Sequence, residues 1–167
     1  MSKHIFKGLA TILIVTLLML SIAVPALAFD ARSDATVTVA GREVVDDDLY
    51  VAAETITIDG TINGDLWAAG STITVNGIVN GSVMAVGKTV NINGDVDHAV
   101  RVAGDTINII SNINGDLIVA GNEVNVASTA KINGDLLFGV GTARIDGFID
   151  GDVKGYGGEV TISNELK

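Results

Sequence analysis

The sequence predicts an all-β fold, a single-stranded β-helix solenoid of about seven coils with a triangular cross-section. Three observations point to it. The phrase Ile-Asn-Gly-Asp-Leu recurs, in full or degenerate form, along most of the chain. Within each copy the apolar residues stand two apart, the period of a strand rather than of a helix. Glycine recurs every few residues, at a density that helices do not tolerate.

The opening stretch is different text. Lys3, His4 and Lys7 precede an uncharged apolar run over residues 9–24, then Pro25 and Ala26-Leu27-Ala28, with small residues where a signal peptidase cuts. Residues 1–28 therefore predict a secretory signal with cleavage before Phe29. Left uncut, the same run predicts an N-terminal anchor, the only route by which this chain would meet a membrane. Either way the basic flank stays inside and the remainder is exported, to the cell envelope or cell surface. Residues 29–36 read as a short polar lead, and residues 37–167 as the repeat domain.

Aligned on its first aliphatic residue, the phrase falls at Val45, Ile62, Val79, Val96, Ile113, Ile132 and Ile149, spaced by 17 except for one interval of 19. A fixed period in this range marks a solenoid, each unit burying its apolar face only against its neighbours. In the fifth unit the apolar positions are Ile113, Leu117, Val119, Val124 and Val126, and the other units keep the same offsets. Asn-Gly pairs such as Asn63-Gly64, Asn76-Gly77 and Asn93-Gly94 read as corners with positive φ. Three short strands and three corners would complete one coil. The two extra residues near Ala127-Ser128-Thr129-Ala130 predict a longer corner, and the stretch from Thr36 to Val45 predicts another. There Val37 and Val39 would end a partial first coil. Seven steps of about 4.8 Å make a rod about 34 Å long. Periods of 17 and 19 argue against left-handed helices built on six-residue repeats.

Composition narrows the function classes. Removing residues 1–28 takes away Lys3 and Lys7 and no acid, leaving 8 basic and 20 acidic residues and a net charge of −12. Such a chain repels nucleic acid and anionic lipid. Cysteine is absent, which excludes disulfides, thiolate metal sites and thiol nucleophiles. His98 is the one histidine past residue 28 and lacks a catalytic partner in sequence; it reads as a tolerated turn substitution. No phosphate-binding glycine loop opens a helix. The reading is of a non-enzyme without a cofactor.

Four features remain as candidate sites. Asp48, Asp65, Asp116, Asp135 and Asp152 share one offset, with Ser82 and Ala99 filling the gap. This column would either satisfy backbone donors at its corner, the favoured reading, or bind a cation such as Ca²⁺. Thr55, Thr72, Thr89 and Thr106 form an outward threonine ladder of the kind seen on ice-binding β-helices, interrupted by Glu123. Tyr50, Trp67, Met84, Ile118 and Leu137, with Arg101 and Lys154 in the same column, lie between inward residues and form a greasy outward wall, a candidate interaction surface. Val37 and Val39 at one end, and Ile162 and Leu166 at the other, are candidate polymer ends, because a bare terminal coil offers unpaired backbone groups.

The pattern of Gly-Asp and Ala-Gly at fixed offsets over residues 37–162 resembles the bactofilins, polymer-forming cytoskeletal proteins of bacteria. That resemblance implies a right-handed β-helix assembling end to end without a nucleotide. The export signal departs from the cytoplasmic habit of that family. The expected function is thus an exported, self-assembling structural protein with itself as partner, possible envelope components as others, and no nucleic acid. The alternative is a surface module binding glycan or protein on its flat walls. A β-helix enzyme ranks third.

Overall fold

The computed structural model describes residues 30–163, which form a parallel β-solenoid with no helix among them. The signal or anchor segment and Leu166 lie outside the described residues. Eight ten-residue strands, Asp30–Val39, Leu49–Ile58, Leu66–Val75, Val83–Ile92, Val100–Ile109, Leu117–Val126, Leu136–Ile145 and Val153–Ile162, stack in sequence order as the rungs of one parallel sheet. Two-residue strands between them build the remaining side as two three-stranded sheets. Val96 joins these by single bridges to Val79 and Ile113.

A coil thus holds one long strand and one short strand, or the single bridging residue Val96, where the pattern predicts three short strands. The triangle survives because the long strand turns a corner without ending. In the third rung Leu66 and Ala68 point inward, and so do Ile73 and Val75. These pairs differ in parity, which a straight pleat cannot accommodate. The pairing to the next rung runs through Gly70↔Gly87 and Thr72↔Thr89 but passes over Ser71, which is the corner.

Pairing is in register throughout, so like residues stack on like. Leu66 lies on Val83, Ile73 on Val90 and Val75 on Ile92. The inward columns fuse into one core that includes Ile62, Ile107, Ile113 and Ile132, all fully buried. Phe138 puts an aromatic ring where its predecessor has Val119. Two reductions make room. Ala143 replaces a β-branched residue within the same rung, and the next rung has Gly155, where a Cβ would strike the Phe138 ring.

Both longer corners appear as expected, and they are built alike. Ala130 N–H donates to Ala127 C=O at 2.9 Å, and Glu43 N–H to Ala40 C=O at 2.8 Å. The following coil carries glycine against each, Gly147 and Gly60, because a Cβ would meet both carbonyl oxygens of the turn.

Two expectations are corrected. The first coil is not partial. Its rung starts at Asp30, inside the stretch read as a lead, and pairs with the second rung from Asp30↔Leu49 to Val39↔Ile58. Nor do the Asn-Gly corners use positive φ, since no described residue, glycine included, has one. Glycine is required there by proximity, because a Cβ on Gly77 would collide with the Gly60 carbonyl oxygen.

The inward aliphatics should dominate stability. Ile107→Asp places an unpaired charge in a fully buried column and is expected to cost about 4 kcal/mol or more. Thr106→Asp, one residue away and half-exposed, is expected to cost about 1 kcal/mol or less. Thermal melts of the two variants check this, and equal losses would contradict the assigned faces.

Candidate functional site

The stack presents three walls and two ends. On the first wall Tyr50, Trp67, Met84, Ile118 and Leu137 occupy one outward column, as expected. Tyr50, Trp67 and Leu137 are exposed, Met84 and Ile118 half-buried. Both tyrosines and the single tryptophan lie on this wall, Tyr156 among them at 85% exposure. Alanines and Val86 fill the adjacent outward column, leaving a shallow apolar groove of about 520 Å³ lined by Tyr50, Trp67, Met84, Ala52, Ala69 and Val86. The Tyr50 and Trp67 rings stack on each other, centroids 5.7 Å apart and planes 11° apart. Register forces this arrangement, and it turns the ring faces toward each other rather than outward, where a sugar would need them.

The aspartate column has a definite local task. Asp48 Oδ1 accepts from the N–H of Asp65 at 2.8 Å, and Asp65 Oδ1 from the N–H of Ser82 at 2.7 Å. Asp116 does the same for Asp135, and Asp135 for Asp152, each at 2.9 Å. Each carboxylate therefore satisfies a donor of the following coil. The glycine before the following residue leaves space for it, since a Cβ on Gly81 or Gly134 would strike that carboxylate. At the column's far end Lys154 pairs with Asp152 at 2.7 Å and lowers the carboxyl from its ordinary value.

A second set of polar columns was not foreseen. Asn63 Nδ2 donates to Asp46 and Asn80 Nδ2 to Asn63; Asn114 donates to Asp97 and Asn133 to Asn114. Asn76 and Asn93 form another ladder on Asp59. Each donation runs to the preceding coil. A side-chain amide both donates and accepts, so it can occupy the middle of a ladder, whereas a carboxylate only accepts and fits its start. In the sequence the asparagines read as corner formers, and their common spacing of 17 or 19 residues is the signal for the ladders. The threonine column is present as read, half-buried at Thr55, Thr72, Thr89 and Thr106, and Asn91, Asn108 and Asn125 form an amide ladder beside it. His98 is exposed at a corner, its N–H bonded to Gly81 C=O at 3.2 Å.

Val37 and Val39 lie in the first described rung, a terminal strand of the sheet, with their side chains turned into the core at 6% and 0% exposure. Beside them Asp30 and Arg32 occupy the positions stacked on Leu49 and Val51, so charged residues stand where other coils have aliphatics. The Arg32 guanidinium lies 2.7 Å from Asp30 and 2.6 Å from Glu43. Hydrogen bonds to Asp30 and then Glu43 raise Arg32 above its ordinary value, and the bond from Arg32 holds the Glu43 carboxyl below the usual range. At the opposite end, Val160 and Ile162 continue inward columns yet are 42% and 36% exposed. Among the described residues, no group of three or more histidine or acidic side chains is placed to hold a metal ion.

The fold and these surfaces define a β-solenoid with one apolar wall and two chemically different ends. No protein-family model matches the chain, and no curated protein or solved structure matches it either.

Removing one column carboxylate should expose its task. Asp65→Ala leaves the Ser82 N–H without its acceptor and is expected to cost about 1–2 kcal/mol in thermal unfolding, whereas Asp65→Asn, which keeps an acceptor oxygen, should cost less than half as much. A rise in Tm on adding Ca²⁺ that disappears in Asp65→Asn would instead assign the column to cation binding.

Proposed function

We propose that this protein is an exported structural component of the cell envelope that self-assembles end to end, without nucleotide or catalysis, as the resemblance of its repeats to bactofilins implies. The observation that carries this reading is the last rung. Among the described residues this full ten-residue strand pairs on one edge only, and Val160 and Ile162 are exposed at the end of a continuous core. Such an edge templates further pairing. In-register stacking also favours a structural role, because it sets like beside like and does not gather the unlike groups that catalysis requires. Export to the envelope rests on the character of residues 1–28.

The chain is acidic, so association should strengthen as salt screens repulsion between copies. Light scattering with negative-stain microscopy across a salt series should show species larger than the monomer, more populated as ionic strength rises. Val160→Lys with Ile162→Lys should return them to monomer. Monomer at every salt concentration in the unaltered protein would overturn the reading. Export is checked separately, since N-terminal sequencing of the extracytoplasmic protein should begin at or near Phe29, and a full-length cytoplasmic product would refute it.

A further inference from the structure

The two ends of the solenoid are not equivalent, and the difference bears on how far assembly can run. This inference rests on the proposed self-association and concerns its control. At the N-terminal end, Asp30 and Arg32 lie on the rung's first side, while Glu43 enters the third side through the long corner. The Arg32–Glu43 pair at 2.6 Å therefore crosses the mouth of the core, and Asp30 holds the guanidinium from beside it at 2.7 Å. All three groups keep access to water, with side chains 26%, 39% and 34% exposed for Arg32, Asp30 and Glu43. A further rung laid on this end would strip that water from three charges and set apolar columns against them. Desolvating an ion cluster carries a penalty that its internal attraction does not reliably recover. Among the described residues the last rung carries no charge in its inward columns, which hold Val153, Gly155, Val160 and Ile162 there.

We infer that the Asp30–Arg32–Glu43 cluster is a clasp that closes the N-terminal end to addition, so that the chain associates through its last rung alone, with the last rung of a second copy, and stops at a pair. With one end closed, an open C-terminal rung can meet only another C-terminal rung. The strand is suited to this. Its inward positions are Val153, Gly155, Val160 and Ile162, a pattern unchanged when the strand is read backwards. An antiparallel two-fold pairing sets Val153 opposite the partner's Ile162 and Gly155 opposite the partner's Val160, core against core. The same register puts Lys154 diagonal to the partner's Glu159, opposite charges within reach. Growth beyond a pair requires the clasp to be opened.

The test compares the exported protein, purified as it is found, with Ile162→Lys and with the triple variant Asp30→Leu/Arg32→Val/Glu43→Gln. The triple variant restores at two positions the kind of residue its columns carry elsewhere. Sedimentation over a dilution series should give a dimer of twice the monomer mass for the unaltered protein and a monomer for Ile162→Lys. The triple variant, with a β-sheet circular dichroism spectrum and a cooperative melt, should grow into filaments visible by microscopy. Because the chain lacks cysteine, Thr161→Cys and Thr38→Cys offer a second readout that does not depend on the triple variant folding. A flexible bis-maleimide should join Thr161→Cys into dimers and leave Thr38→Cys uncrosslinked. Filaments from the unaltered protein would overturn the clasp and leave self-association standing. A folded triple variant that remains a dimer, or efficient crosslinking at Thr38→Cys, would also overturn it. Monomer in the unaltered protein would defeat the underlying reading instead.

Discussion

Every side chain of the solenoid has to be compatible with a near-copy of itself about 4.8 Å away, the spacing of hydrogen-bonded strands. That constraint sorts the residues into columns. Aliphatics satisfy it by packing, as Ile73 does on Ile56 and under Val90. Asparagines satisfy it by donating to one neighbour and accepting from the other, as in Asn76 and Asn93 on Asp59. Aspartates of the corner column avoid facing one another alone, because each Oδ1 takes a backbone N–H from the next coil. Where the backbones themselves come too close, only glycine fits, as at Gly77 over Gly60. Departures need local compensation, and Phe138 is accommodated only because Ala143 and Gly155 yield space on either side.

The same rule decides what could be read from the chain alone. Period, inward columns, the greasy wall and both long corners were legible because each is a repetition, and repetition survives in sequence. The corner at Ser71 was legible only as a break in alternation, not as a bend within one strand. The reason for glycine was hidden, because close approach of a neighbouring coil and positive φ select the same residue. The first rung was missed for a physical reason as well. Asp30 and Arg32 fill columns that hold Leu49 and Val51 one coil later, so the apolar pattern that reveals every other rung is absent there. The clasp, the feature that most distinguishes the N-terminal end, therefore looks like a polar lead in the sequence.

The apolar wall shows how stacking limits what a solenoid face can offer. Tyr50 and Trp67 bring the ring area that recognition surfaces use, yet register lays one ring on the other. Their remaining edges, with Met84, Val86 and the small alanines, form a shallow groove and not a platform. The wall's two outward columns contain Arg101 and Lys154 but no acid, although the neighbouring corner carries the aspartate column. A surface that is apolar within and anionic along one rim suits sheet-like contact better than capture of a small charged ligand.

A stack of like upon like has interruptions only where a column begins, ends or changes residue, so those are the places where the molecule can be specific. Within the stack the changes are modest: His98 exposed at a corner, Arg101 in the greasy column, Ser82 and Ala99 in place of aspartate. At the ends they are decisive, because a terminal rung has one neighbour missing, and whatever fills its columns sets the free energy of gaining another. Apolar columns leave exposed surface whose burial favours association by about 25 cal/mol for each Å² removed from water. A paired charge cluster in the same columns reverses the sign, since its hydration must be given up first. Three side chains out of a whole rod therefore suffice to make one end passive, while the core, ladders and corners between the ends remain free to be selected for rigidity alone.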